Sequence, residues 1–179
     1  MMRTPQRLLA VIILAALPIT AAVTDGVAPV WPESVPDFRV YEAGTDRKSE
    51  FFEFLRPLIA VENERVRRDR NRLLAIADRT DRNGLERWWL RAMAEVYEIE
   101  RESLGETELV DALLRRVDVV PASLALAQAA KESGWGTSRF ARDGNNLFGE
   151  WCFEAGCGIV PQNRANGRRH EVEVFDSPR

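Results

Sequence analysis

The sequence predicts an α+β fold with helices first and a small sheet last, and three observations carry that reading. Apolar residues recur at three- and four-residue steps from position 49 to 117, as in helices that bury one face. A run of small and apolar residues from Ala122 to Lys131 extends the helical pattern. Beyond Gly149 the pattern shortens and alternates, from Glu150 to Val160 and from His170 to Phe175, which reads as β-structure. A chain of 179 residues has room for one well-buried domain and an accessory segment. With 30% charged residues and a net charge of -3, nothing in the bulk composition points to nucleic acid as a partner.

The N-terminus has the layout of a secretory signal: Arg3 and Arg7 precede an apolar run from Leu8 to Leu17, and Thr20, Ala21 and Ala22 follow. Residues 1–22 are a cleavable signal peptide or an uncleaved anchor. The run breaks at Pro18, short of the ~20 apolar residues a spanning helix needs. Both readings place the bulk of the chain outside the cytoplasm, in the periplasm or cell envelope, with membrane attachment only through this segment. Residues 23–48, with Pro29, Pro32 and Pro36, read as a linker. Cys152 and Cys157 are the only cysteines, and in an oxidising compartment so close a pair reads as a disulfide. No second pair completes a zinc site, the lone His170 has no ligand cluster, and no phosphate loop precedes a helix. No metal or other cofactor is expected.

Residues 49–117 read as an all-helical module. Ser49 is a plausible N-cap for a helix with Phe51, Phe54, Leu55, Leu58 and Ile59 on one face, which Pro57 should kink or restart. The arginine-rich stretch 62–81 interleaves acids with bases, as a solvated helix face does, with Val66, Leu73 and Leu74 on its apolar side. After Gly84, Leu85, Trp88, Trp89, Met93, Val96 and Tyr97 are expected in the core. Glu108 opens a last helix whose inward stripe is Leu109, Leu113, Leu114 and Val117.

The chemistry gathers downstream. Pro121 suits the first turn of a helix that is apolar on all sides and therefore expected to be buried. That helix ends in Lys131-Glu132-Ser133-Gly134-Trp135-Gly136, whose glycines can take the left-handed conformations that stop helices. Partial burial, an aromatic neighbour and the negative end of the helix dipole would all favour the protonated form of Glu132. A carboxylic acid of that kind is what glycosidic cleavage needs as a proton donor. Spacing alone supports equally a structural C-cap carboxylate paired with Lys131 or Arg139. Thr137 can cap a short helix, and Gly144-Asn145-Asn146 marks a tight turn into Leu147-Phe148-Gly149.

The stretch 120–136 and the stretch 144–149 resemble the two signature segments of bacterial glucosaminidase domains. The likeness takes in residues 114–121, Trp151-Cys152, Cys157-Gly158, His170-Glu171-Val172, Phe51-Phe52 and residues 55–59. The resemblance implies a lysozyme-like domain over 118–179 behind the helical module. It also implies an endo-β-N-acetylglucosaminidase acting on peptidoglycan or a related N-acetylglucosamine-containing glycan. Glu132 matches the family's catalytic glutamate, and Trp135, Asn145, Asn146 and Phe148 are taken as sugar-binding residues. Related domains carry a second glutamate on the β-lobe, but residues 162–167 here hold no acid. Of the nearby Glu154, Glu171 and Glu173, Glu171 is taken as the second catalytic residue. Family members continue with further helices past the position of Pro178, so a C-terminally truncated domain is expected. A lytic transglycosylase and an inactive wall-binding scaffold are the competing readings.

Overall fold

A computed structural model describes residues 32–162, 164 and 167–178. The signal or anchor segment and residues 23–31 of the expected linker lie outside the described residues. Among the described residues no helix is long and apolar enough to cross a membrane.

The chain from Trp31 onward forms one unit. A short 3-10 helix, Phe38–Val40, leads into α1 (Thr45–Ile76), α2 (Gly84–Val96), α3 (Glu106–Arg116), α4 (Ala122–Ser133) and α5 (Arg139–Gly144). Strands β1 (Trp151–Cys152), β2 (Gly158–Ile159) and β3 (Glu171–Glu173) come after them, so the order is helices first and sheet last, an α+β fold. The sheet is antiparallel in the order β1-β3-β2, with Trp151 opposite Val172, Cys152 opposite Glu171 and Ile159 also opposite Val172.

Helix α1 organises the rest. Its 32 residues run about 48 Å and reach two separate apolar clusters. The first joins Phe51, Leu55, Leu58 and Ile59 to Ala125, Ala129 and Ala130 of α4, Ala141 of α5 and Leu147. The second joins Leu73 and Ile76 to Leu90 and Met93 of α2, Leu109, Val110 and Leu113 of α3, and Val117. Polar side chains tie the elements at their ends. Arg70 Nη1 donates to the carbonyls of Leu114 (2.8 Å) and Val117 (2.7 Å), meeting acceptors that the end of α3 leaves free. Arg82, buried, does the same for α1 by donating to the carbonyls of Ile76 and Ala77. Asn63 exchanges two hydrogen bonds with the backbone of Val120, holding the entry of α4 against α1.

Several expectations are corrected. Residues 35–48 are not linker: Val35 and Phe38 are buried in the first cluster, and α1 begins at Thr45 behind Gly44, not at Ser49. Phe38 packs edge-on against Phe51 and Phe54, a long-range contact with no periodic signature. Pro57 neither breaks nor restarts α1. Pro57 and Glu53, whose carbonyl loses its partner, both lie on the exposed side, where water can satisfy that oxygen. The arginine-rich stretch is the same helix continued, its charges paired locally as Arg65 with Glu62 and Asp69 and Arg67 with Glu64. Leu85, Trp88 and Val96 point outward, because a single helix can turn only Trp89, Leu90 and Met93 toward α1 and α3.

These positions make separable predictions. Phe51→Ala removes a fully buried ring and should cost about 3–5 kcal/mol in urea denaturation. Trp88→Ala, at a position 60% exposed, should stay within about 0.5 kcal/mol of the parent. Equal costs at the two positions would contradict the outward orientation of Trp88.

Candidate active site

The end of α4 is built to a tight specification. Gly134, Trp135 and Gly136 have φ values of 56°, 61° and 72°, three consecutive residues in the left-handed region. That path reverses the chain within one turn, and the backbone N–H of Trp135 returns to the carbonyl of Ala130 at 2.9 Å. At Gly136 a Cβ would run into the ring of Phe38, so the position needs glycine for space as well as for φ. Trp135 has no such exemption, and its unfavourable φ is offset by packing edge-on against Phe51 and Phe52, with the Lys48 ammonium 5.2 Å from its ring centroid. Ser133, buried, finishes the turn: its Oγ donates to the carbonyl of Ala129 (2.6 Å) and accepts the N–H of Gly136 (2.8 Å).

Glu132 projects from this turn into solvent. Among the described residues its carboxylate accepts no hydrogen bond and pairs with no cation. The expected burial is absent because α4 buries only the face that carries Ala125, Ala129, Ala130 and Ser133. Leu124, Gln128, Lys131 and Glu132 lie outside it. Alanines look apolar on every side of a helical wheel, yet here they mark only a close approach to α1. The C-cap pairing is absent too: Arg139 gives its Nη2 to the carbonyl of Val160 at 2.7 Å, and Lys131 makes no ion pair among the described residues.

The two asparagines expected to bind sugar are hydrogen-bonded to the protein. Asn145 adopts φ 52° after α5, accepts the N–H of Val35 through Oδ1 (2.9 Å) and donates through Nδ2 to the carbonyl of Phe175 (2.9 Å). Asn146, 2% exposed, accepts the N–H groups of Gly149 and Glu150 and donates to the carbonyls of Glu150 and Glu173. With every lone pair and proton of its amide committed, Asn146 has nothing left for a ligand. Asn146 joins the turn after α5 to β3, and Asn145 joins it to the segment before α1 and to the chain just beyond β3. The ring of Trp135, partly buried, joins the aromatic cluster of Phe51 and Phe52. Phe148 stays 37% exposed and lines a groove of about 250 Å³ with Leu55, Ile59, Val120 and Ala125.

Glu171, the expected second catalytic residue, is engaged by the backbone. It is buried on β3 and accepts the N–H groups of Gly158 (2.9 Å) and Gly156 (3.3 Å), which draw its pKa below the ordinary value of 4.5. A carboxylate held ionised in this way makes a poor proton donor. It spans the loop closed by the Cys152–Cys157 disulfide and pins that loop to β3. Among the described residues no cluster of potential metal ligands occurs.

Residues 107–179, which contain α4, its turn and the whole sheet, match the family described as mannosyl-glycoprotein endo-beta-N-acetylglucosaminidase. The chain is also 38% identical over 130 residues to Protein bax of Escherichia coli (strain K12), an overlap of 72% of this chain and 47% of that protein. This is a Bax-like glucosaminidase-domain protein. It spans about half the length of the curated relative it matches. No solved structure matches it.

The glucosaminidase domain is lysozyme-like, and its family is one of glycosidases. The family match begins at residue 107, inside α3, and α1 supplies Phe51, Leu55, Leu58 and Ile59 to the core beneath α4. Sequence reasoning assigned no role to Trp151, although Trp151 and Phe153 alternate in the way that places two aromatics on one side of an extended strand.

Glu171 gives the domain a pH signature. Its folded-state pKa is depressed, so the stability it contributes is present above the ordinary carboxylate range and is lost as pH falls through the lower folded value. Thermal midpoints from neutral to acid pH should show Glu171→Gln below the parent at neutral pH, with the two curves converging in acid. A constant gap at all pH values would show that ionisation of Glu171 contributes nothing.

Proposed function

We propose that this chain is an endo-β-N-acetylglucosaminidase of the bacterial cell wall, cleaving β-1,4 bonds in peptidoglycan with Glu132 as general acid. One observation carries the reading: a carboxylate without a partner among the described residues stands beside a rigid three-residue turn, within the segment that matches the glycosidase family. A structural glutamate would be expected to use its oxygens, as Glu171 does. The turn fixes the backbone beneath Glu132 through buried Ser133 and Gly136, so the acid is held without being consumed. A sugar chain lying over the end of α4 would itself displace water from the carboxylate. Protonation of the leaving glycosidic oxygen by Glu132 then lets the bond to the anomeric carbon break, and water completes hydrolysis.

Glu132→Gln keeps the side chain's size and removes the transferable proton. Wall digestion should fall at least ~10²-fold, the low end for general acid catalysis. The thermal midpoint should not move, since the side chain is exposed and unpaired. Digestion at the parental rate would remove Glu132 from the mechanism. Mass spectrometry of the products should show hydrolytic reducing ends, and anhydro-muramic ends would instead identify a transglycosylase.

The protein is proposed to work outside the cytoplasm. The basic start, apolar run and small residues at 3–22 motivate this, and a disulfide between its only two cysteines suits an oxidising compartment. Cell fractionation should recover it in the envelope, with Cys152 and Cys157 unlabelled by alkylation unless first reduced. Recovery from the cytoplasm with an intact N-terminus and free thiols would reject export.

A further inference from the structure

Trp151 and His170 form a flat stack on the sheet, with ring centroids 4.2 Å apart and planes inclined by 17°. The pair is diagonal across β1 and β3, because Trp151 stands opposite Val172 and His170 lies two residues before it. Unlike a core contact, the stack leaves Trp151 56% exposed, on an edge strand whose outer side pairs with no other strand among the described residues. An indole this open leaves its apolar surface in water, available to a ligand.

The scaffold beneath the two rings is unusually fixed. Trp151 adjoins Cys152, which is locked to Cys157, and His170 adjoins Glu171, which is buried and accepts the N–H of Gly156 in that loop and of Gly158 in β2. Each ring therefore sits one residue from a covalent or charge-assisted anchor. The imidazole backs one face of the indole and keeps it from turning flat onto the protein surface.

We infer that Trp151, backed by His170, is a sugar-binding platform of the β-lobe, taking the apolar face of an N-acetylglucosamine unit of the glycan. The inference rests on the glycosidase reading above and adds to it a substrate-binding residue. The ring of a β-linked sugar turns axial C–H bonds to one face, and those weakly positive hydrogens meet the negative π-face of an indole. A platform already rigid before binding loses little conformational entropy when the sugar arrives. On this account Glu171 and the disulfide are positioning elements that act through the rings they hold.

The test is calorimetric titration of the full chain, carrying Glu132→Gln to prevent turnover, with the β-1,4-linked tetramer of N-acetylglucosamine. Trp151→Ala should weaken binding at least ~10-fold with an unchanged thermal midpoint. Trp151→Phe should keep most of the affinity, and His170→Ala should weaken it less than Trp151→Ala does. The platform is overturned if Trp151→Ala costs less than that, or if Trp151→Phe loses as much as alanine. It is equally overturned if affinity falls only alongside the midpoint, as a purely structural cross-strand pair would require, or if the parent does not bind the tetramer. Failure of the catalytic reading is distinguishable, because digestion by Glu132→Gln at the parental rate removes the acid while leaving sugar binding at Trp151 measurable.

Discussion

The close approach of α4 to α1 is the constraint on which the rest of this structure depends. Ala125, Ala129 and Ala130 present almost no side chain, so the two backbones can come near enough for Phe51, Leu55 and Leu58 to fill the space between them. The same approach dictates the path of the chain beyond α4. With Phe38 and Phe51 already beside it, position 136 has no room for a Cβ, and the chain leaves the helix through three left-handed residues. Glu132 stands where it does because that exit is rigid. A residue such as Trp135, unfavourable at its own φ, is tolerated because two phenylalanine rings hold it.

Glu132 and Glu171 show how environment separates the roles of identical side chains. Glu171 spends both oxygens on backbone donors, is held ionised, and welds the disulfide loop to β3. Glu132 spends none among the described residues. Reactive groups are expected to be available, and structural ones to be satisfied. The asparagines obey the same rule: Asn145 and Asn146 occupy a signature segment, yet their amides are consumed in joining the turn after α5 to distant segments.

Much of the architecture was legible because periodicity reports burial directly. The helix spacing, the late switch to strands and the isolated cysteine pair survive in the structure close to where the pattern placed them. The misreadings share one cause: side chains that act over long sequence separations leave no local trace. Phe38 meets Phe51 and Phe54 across α1, and Val35 is held by Asn145 from 110 residues away. Apolar residues also overstate burial when two adjacent positions compete for one face, as Trp88 and Trp89 do.

By itself the sequence determined the fold class, the order of its elements and the glycine-stopped end of α4, because helix periods, glycine stops and long signature segments are local properties of the chain. Tertiary structure alone decided which polar groups remain free to act. Whether a carboxylate or amide is spent on the protein depends on donors and acceptors brought from distant segments, as Gly156 and Gly158 are brought to Glu171 and Phe175 to Asn145. The exposure of Trp151 likewise comes from its place at the edge of a three-stranded sheet, a position set by strand pairing that no local pattern encodes.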